Sequence, residues 1–139
     1  MTDGDRPAII EVRIPCRPEF VGVARLAILG IASRMHFSYD EVEDVRLAVG
    51  EACNTAVERA IKTKRTDTDI LIRSEIVDSK LSIEVEDHAG ILPQPSEAEA
   101  PEELDEQGLG ALLMELLVDE FKVEPVDDGV RVKMVKYAG

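Results

Sequence analysis

The sequence predicts an α+β fold, a two-layer sandwich whose mixed, mostly antiparallel sheet is covered on one face by helices. Hydrophobic periodicity carries the prediction, switching between strand and helix repeats in the order β-α-α-β-β-loop-α-β-β. Composition agrees: 45% hydrophobic and 32% charged residues suit one core, which must be aliphatic because aromatics are 4% and Trp is absent. At 139 residues, the chain is most simply one domain, 1–139.

The first strand is "AIIEVRIP", 8–15, which alternates in the manner of a half-buried strand and is closed by Pro15. "PEFVGVARLAILGIASRM", 18–35, places Pro18 in a first turn and apolar residues at helical spacing. A second helix, "FSYDEVEDVRLAVGEACNTAVERAIK", opens with Ser38 and, three residues later, Glu41, a capping-box signature with an acidic first turn. "TDILIRSEIVDSKLSIEVED", 68–87, returns to a period of two as a hairpin around "VDSK". Three prolines and many acids interrupt the pattern in "HAGILPQPSEAEAPEELDEQ", predicting a mobile, lid-like loop over about 88–107. "GLGALLMELLVDEF" predicts a Gly-rich turn leading into a helix, and "FKVEPVDDGVRVKMVKY" a closing hairpin around "DDG".

Charge narrows the function. With 29 acidic and 16 basic residues the net charge is −13, so phosphate backbones repel the chain and direct nucleic-acid binding is not expected. No apolar run is long enough to span a bilayer, and "MTDGDRP" is no signal peptide, so no membrane association is expected. Cys16 and Cys53 lack CxxC spacing and suit reduced, buried thiols in a cytoplasmic protein. His36 and His88 lack the spacing of a zinc site.

Three stretches could carry chemistry. On the second helix Val42, Val45, Val49, Ala52, Ala56 and Ala60 fall within about 80° of one another and form the core stripe. Glu51, Thr55 and Arg59 line one border of it at i, i+4 and i+8, with Asn54 one step away from the core. A carboxylate beside an amide suits a general base and a magnesium ligand, direct or through water. The same residues also suit the polar border of an amphipathic helix. Asp87, ending a strand, could accept a hydrogen bond from a base's amino group, or simply precede a turn. Gly108 and Gly110, around Leu109, would let backbone N–H groups approach phosphate oxygens, although the stretch lacks the GK[ST] of a Walker loop.

The collinear order of "EACNTAV", "VED", a variable loop, "EQGLG" and an apolar helix resembles the GHKL (Bergerat) ATPase fold. Within it, "YDEVEDVRLAVGEAC", "GLGALLMELLVDEF" and "GVRVKMVKY" resemble the RsbW-type serine-protein kinases, the anti-sigma-B factors. The resemblance implies a homodimer that sequesters a sigma factor of the sigma-B type. It also implies phosphorylation of a serine on an anti-anti-sigma partner of the RsbV type, with ATP and Mg2+ as cofactors. A binding-only anti-sigma regulator on the same fold is the alternative. By position, Glu51 matches the family's catalytic base and Asp87 its adenine-contacting carboxylate. Asn54 and Thr55 stand at the magnesium-binding amide, Gly108, Leu109 and Gly110 on the phosphate side, and Arg25 at a basic partner-binding position. The family's glutamate and asparagine are four residues apart; here Thr55 takes that place and Asn54 precedes it. Gly90 stands one residue later than the glycine of the family's DxG, and Val135 stands at a family threonine near adenine.

Overall fold

The computed structural model describes residues 7–91 and 106–138. Its elements are β1 (Ala8–Pro15), a short 3₁₀ turn (Pro18–Phe20), α1 (Val21–Ala32), α2 (Tyr39–Thr63), β2 (Asp69–Val77), β3 (Lys80–Asp87), α3 (Glu106–Leu117), β4 (Glu120–Val126) and β5 (Gly129–Tyr137). Residues 92–105 of the expected lid lie outside the described residues.

Helix ends follow local chemistry. Ser38 Oγ accepts from the Glu41 N–H at 3.1 Å while Glu41 Oε1 accepts from the Ser38 N–H at 2.7 Å, completing the predicted capping box. Such a cap contributes about 1 kcal/mol. α2 closes at Lys64, whose φ of 60° is left-handed. α1 stops at Ala32 rather than continuing to Met35. There Ser33 turns its hydroxyl onto the Gly30 carbonyl, and the next two amides bond three residues back, tightening the chain out of the helix.

The sheet order is β1-β2-β3-β5-β4, and every pairing is antiparallel. This corrects the expectation of a mixed sheet. Pro15 faces Asp69 in register, so the α1–α2 excursion leaves and re-enters the sheet at one edge, and β2 runs opposite to β1. β4 does run parallel to β3, but β5 lies between them and pairs antiparallel with both.

One sheet face meets the helices. Ile72, Val85 and Val132 stand in register across β2, β3 and β5, as do Ser74, Ile83 and Met134, all of them buried. Against them α2 sets Val45, Ala48, Val49, Ala52, Ala56 and Ala60, with Val42 only partly buried at the helix start. Small residues on α2 bring its backbone close to the sheet. The opposite face carries ion pairs, among them Arg131–Glu86 at 2.7 Å and Lys133–Glu84 at 3.7 Å, and among the described residues no second helical layer covers it. Cys16 and Cys53 lie inside the core; burial pushes their thiols up to about 11 and about 12, as inert small apolar groups.

Candidate functional site

The two predicted glycines do not precede the third helix. α3 begins at Glu106, so Gly108 and Gly110 belong to its first turns. Gly110 is buried and marks where α3 crosses α2. A Cβ there would fall 2.8 Å from Thr55 Cγ2 and 2.9 Å from Glu51 Oε2, so only glycine permits this approach. The same contact places Glu51 and Thr55, one turn apart on α2, under the start of α3.

Two hollows flank this crossing. One, of about 170 Å3, is lined by Thr55, Arg59, Ala111, Met114, Val130 and Val132, with Val123 beside them. Its walls are largely apolar and suit a flat heteroaromatic ring. The other is an open groove between α2 and α3, lined by Glu51, Glu58, Leu109, Gly110 and Leu113. Burial raises the Glu51 carboxyl above its ordinary range; the Glu58 charge adds to the rise and Arg25 opposes it. A raised carboxylate is a stronger base than an exposed one.

Asp87 ends β3 on the core face, in register between Ile70 and Val130, and is 2% exposed. Its partner is Arg59, two turns beyond Glu51 on α2. Arg59 Nη1 donates to Asp87 Oδ1 at 2.8 Å and Nη2 to Oδ2 at 2.6 Å, a buried bidentate pair. Arg59 also donates to the Gly90 carbonyl at 3.0 Å. Gly90 has a φ of 88°, a left-handed conformation that favours glycine, and its N–H donates to the Asp128 carbonyl. His88 bridges Asp128 and Glu86, and its imidazole is raised above its usual range chiefly by the hydrogen bond to Asp128. These bonds tie the end of β3 to the β4–β5 turn. A Cβ on Gly129 would strike the Asp87 carbonyl, so that turn also needs glycine.

Three sequence expectations change. Asn54 lines neither hollow: α2 is an unbroken helix, and a step of one residue turns the amide about 100° away from the Thr55 direction. The geometry therefore does not bring Asn54 to the place where a magnesium ligand is expected. Thr55 is there instead, buried, its hydroxyl donating to the Ala52 carbonyl at 2.9 Å. Val135 faces the other side of β5, opposite Ser82; the β5 positions that look into the hollow are Val130 and Val132. Arg25 does not stand clear of α1. Its guanidinium lies over Gly50, where any Cβ would collide with it, and Nε is buried without a hydrogen-bond partner among the described residues.

Sequence reasoning missed the role of Arg59. A signal was present, because Asp87 falls in phase with Leu81, Ile83 and Val85 on the core side of β3. A carboxylate in that phase requires a cation.

Residues 14–136 match the histidine kinase-like ATPase domain family. A serine-protein kinase RsbW of Bacillus licheniformis is 40% identical over 92% of this chain and 84% of its own length. The chain belongs to the RsbW-type serine-protein kinases. The RsbW of Bacillus subtilis strain 168 is 38% identical over the same shares. Among solved structures, the RsbU and RsbW domains of a Mycobacterium tuberculosis protein superpose with a TM-score of 0.70 at 14% identity, over 94% of this chain and 32% of that longer one. The histidine kinase domain of a blue-light activated kinase from Erythrobacter litoralis gives a TM-score of 0.57 at 21% identity, over 89% of this chain and 61% of that one. At such identities the two structures support the fold alone.

Proposed function

We propose that this RsbW-type chain is a cytoplasmic, homodimeric anti-sigma factor. It binds a sigma factor of the sigma-B type and transfers phosphate from ATP to a serine on an anti-anti-sigma partner. The observation that carries the catalytic half is the position of Glu51, a carboxylate of raised basicity held against Gly110 beside a hollow sized for a base. Arg59, which holds Asp87 in a buried ion pair, forms part of the wall of that hollow, and a helix start such as that of α3 favours phosphate oxygens. ATP fits these residues. Asn54 does not fit as a magnesium ligand, and no step here depends on it.

In this reading Glu51 accepts the partner serine's hydroxyl proton. The serine oxygen bonds to the terminal phosphorus and ADP departs with the bridging oxygen. Arg25, wedged between α1 and α2 beside Glu51, links the helix on which a partner would dock to the base that serves it.

Calorimetric titration with Mg-ATP, followed by phosphate transfer to the purified anti-anti-sigma protein, tests the proposal. Wild type binds ATP and phosphorylates a serine. Glu51→Gln keeps ATP and sigma binding and loses about a hundredfold or more in transfer. Full transfer by Glu51→Gln removes Glu51 as the base. Sigma binding without ATP binding or transfer leaves the binding-only regulator, the reading that the outward turn of Asn54 favours.

A further inference from the structure

His88 stands one residue past the end of β3, between two carboxylates. Its Nδ1 meets Asp128 Oδ1 in the β4–β5 turn, and its Nε2 meets Glu86 Oε2 on β3 at 3.1 Å. In a neutral imidazole one nitrogen is a donor and the other an acceptor. An ionised carboxylate only accepts, so both contacts are hydrogen bonds only when the ring is imidazolium. Among the described residues, three further charged groups surround this cluster. Arg131 of β5 holds the other oxygen of Glu86 at 2.7 Å and reaches Glu124 of β4 at 3.6 Å. Arg65, just past α2, holds the other oxygen of Asp128 at 3.3 Å. Each carboxylate thus keeps one oxygen for the ring. The hydrogen bond to Asp128 raises the imidazole above its usual range and in return lowers the Asp128 carboxyl. The turn so gripped also holds the chain beyond His88. The Asp128 carbonyl accepts from the Gly90 N–H at 2.7 Å, and the Gly90 carbonyl accepts from Arg59 Nη1 at 3.0 Å. Arg59 forms part of the wall of the hollow of about 170 Å3, so direct hydrogen bonds connect the turn to that wall.

We propose that His88 is a proton-operated clamp, which as imidazolium fastens the β4–β5 turn to the end of β3 and so steadies Gly90 and Arg59 beside the hollow. Loss of the proton turns one nitrogen's lone pair onto a carboxylate and reduces the other contact to the bond of a neutral donor. The ring then leaves the two carboxylates and the turn loosens. The folded protein holds this proton more firmly than an unfolded chain does. The clamp is therefore complete below the ordinary histidine range and is lost as pH rises through the raised value. One consequence rests on the proposal that the hollow holds the nucleotide's base: ATP is bound more weakly once His88 has lost its proton.

NMR titration of the His88 ring, with hydrogen exchange of the Gly90 amide, tests the clamp in wild type, His88→Gln and Asp128→Asn. Wild-type His88 is expected to titrate above about 6.5, and Asp128→Asn to lower that midpoint. Below the midpoint the Gly90 amide should exchange about two- to fivefold faster in His88→Gln than in wild type, the range for partly exposed pairs. His88→Asn repeats the measurement should Gln fail to fold. A midpoint at or below the ordinary value, or one that Asp128→Asn leaves unmoved, overturns the clamp. Equal Gly90 exchange in wild type and His88→Gln overturns it too. Calorimetric titration with Mg-ATP between about pH 6 and pH 9 then reads the hollow. The ratio of wild-type to His88→Gln affinity cancels the titrations of ATP and of Glu51. It should fall from about two- to fivefold toward parity as pH rises. A constant ratio overturns the link from clamp to hollow. Should wild type bind no nucleotide while the ring and the Gly90 amide behave as expected, the clamp stands and the proposed function falls.

Discussion

Glu51 sits between two opposing charges, Glu58 two turns further along α2 and Arg25 on α1, in a groove that already penalises ionisation. A base must be ionised to take a proton. Since burial and Glu58 raise its pKa, transfer should fall as pH drops through a value above the ordinary glutamate range. Removing the like charge with Glu58→Gln relieves part of that rise, so the acid limb of the transfer rate moves to lower pH. Arg25→Ala removes the opposing cation and moves the limb to higher pH. Rate–pH profiles at saturating ATP check both; a limb that stays in place in both variants would dissociate it from Glu51. Glu51 was recognisable in the sequence from its place in "EACNTAV", but the neighbours that tune it were not, because Arg25 arrives from another helix.

At the scale of the element, the phase of α2 decides which side chains reach the site. Thr55 shares a face with Glu51 and Arg59, and that face meets α3 at Gly110. Asn54 is turned off it. Exchanging the pair, Asn54→Thr with Thr55→Asn, moves the amide onto the site face while keeping composition. Mg-ATP affinity is expected to rise about tenfold, one added polar contact to the bound metal, without altered sigma affinity. Unchanged nucleotide affinity would show that the metal does not depend on this position. The heptad-like order of α2 was legible from periodicity, and so was its cap at Ser38. The start of α3 was not: two glycines argue for a turn, and it is packing of Gly110 against α2 that makes them helical.

Across the whole molecule, α1 leaves Val23, Leu26 and Leu29 exposed at helical spacing, on a chain whose net charge is −13. Apolar surface of this kind on a strongly acidic protein suits association through one helix while charge keeps the rest apart. Arg25 lies in the same helix, and its guanidinium reaches α2 at Gly50, next to Glu51. Arg25→Ala is expected to cost about 2 kcal/mol in sigma binding, measured by pull-down titration, while light scattering still reports the mass of a dimer at micromolar concentration. Unchanged affinity removes Arg25 from the interface, and a monomer of the wild-type protein removes the dimer.

Local chemistry by itself determined the element order, the capped start of α2, both hairpins and the aliphatic core, because each follows from residues a few positions apart. It placed Glu51 on the border of the α2 core stripe and Asp87 at a strand end, and only the resemblance to a family gave those two positions a role. Tertiary structure alone decided the rest. The sheet is wholly antiparallel because β5 inserts between β3 and β4, a long-range choice that no local period encodes. Gly110 and Gly129 are required because another element's side chain or backbone occupies the space of their missing Cβ. Arg59 becomes the partner of Asp87 only when α2 lies across the end of β3. A residue separation of 28 closes there into a bond of 2.6 Å. Spacing along one helix shows which residues share a face; it does not show what that face will meet.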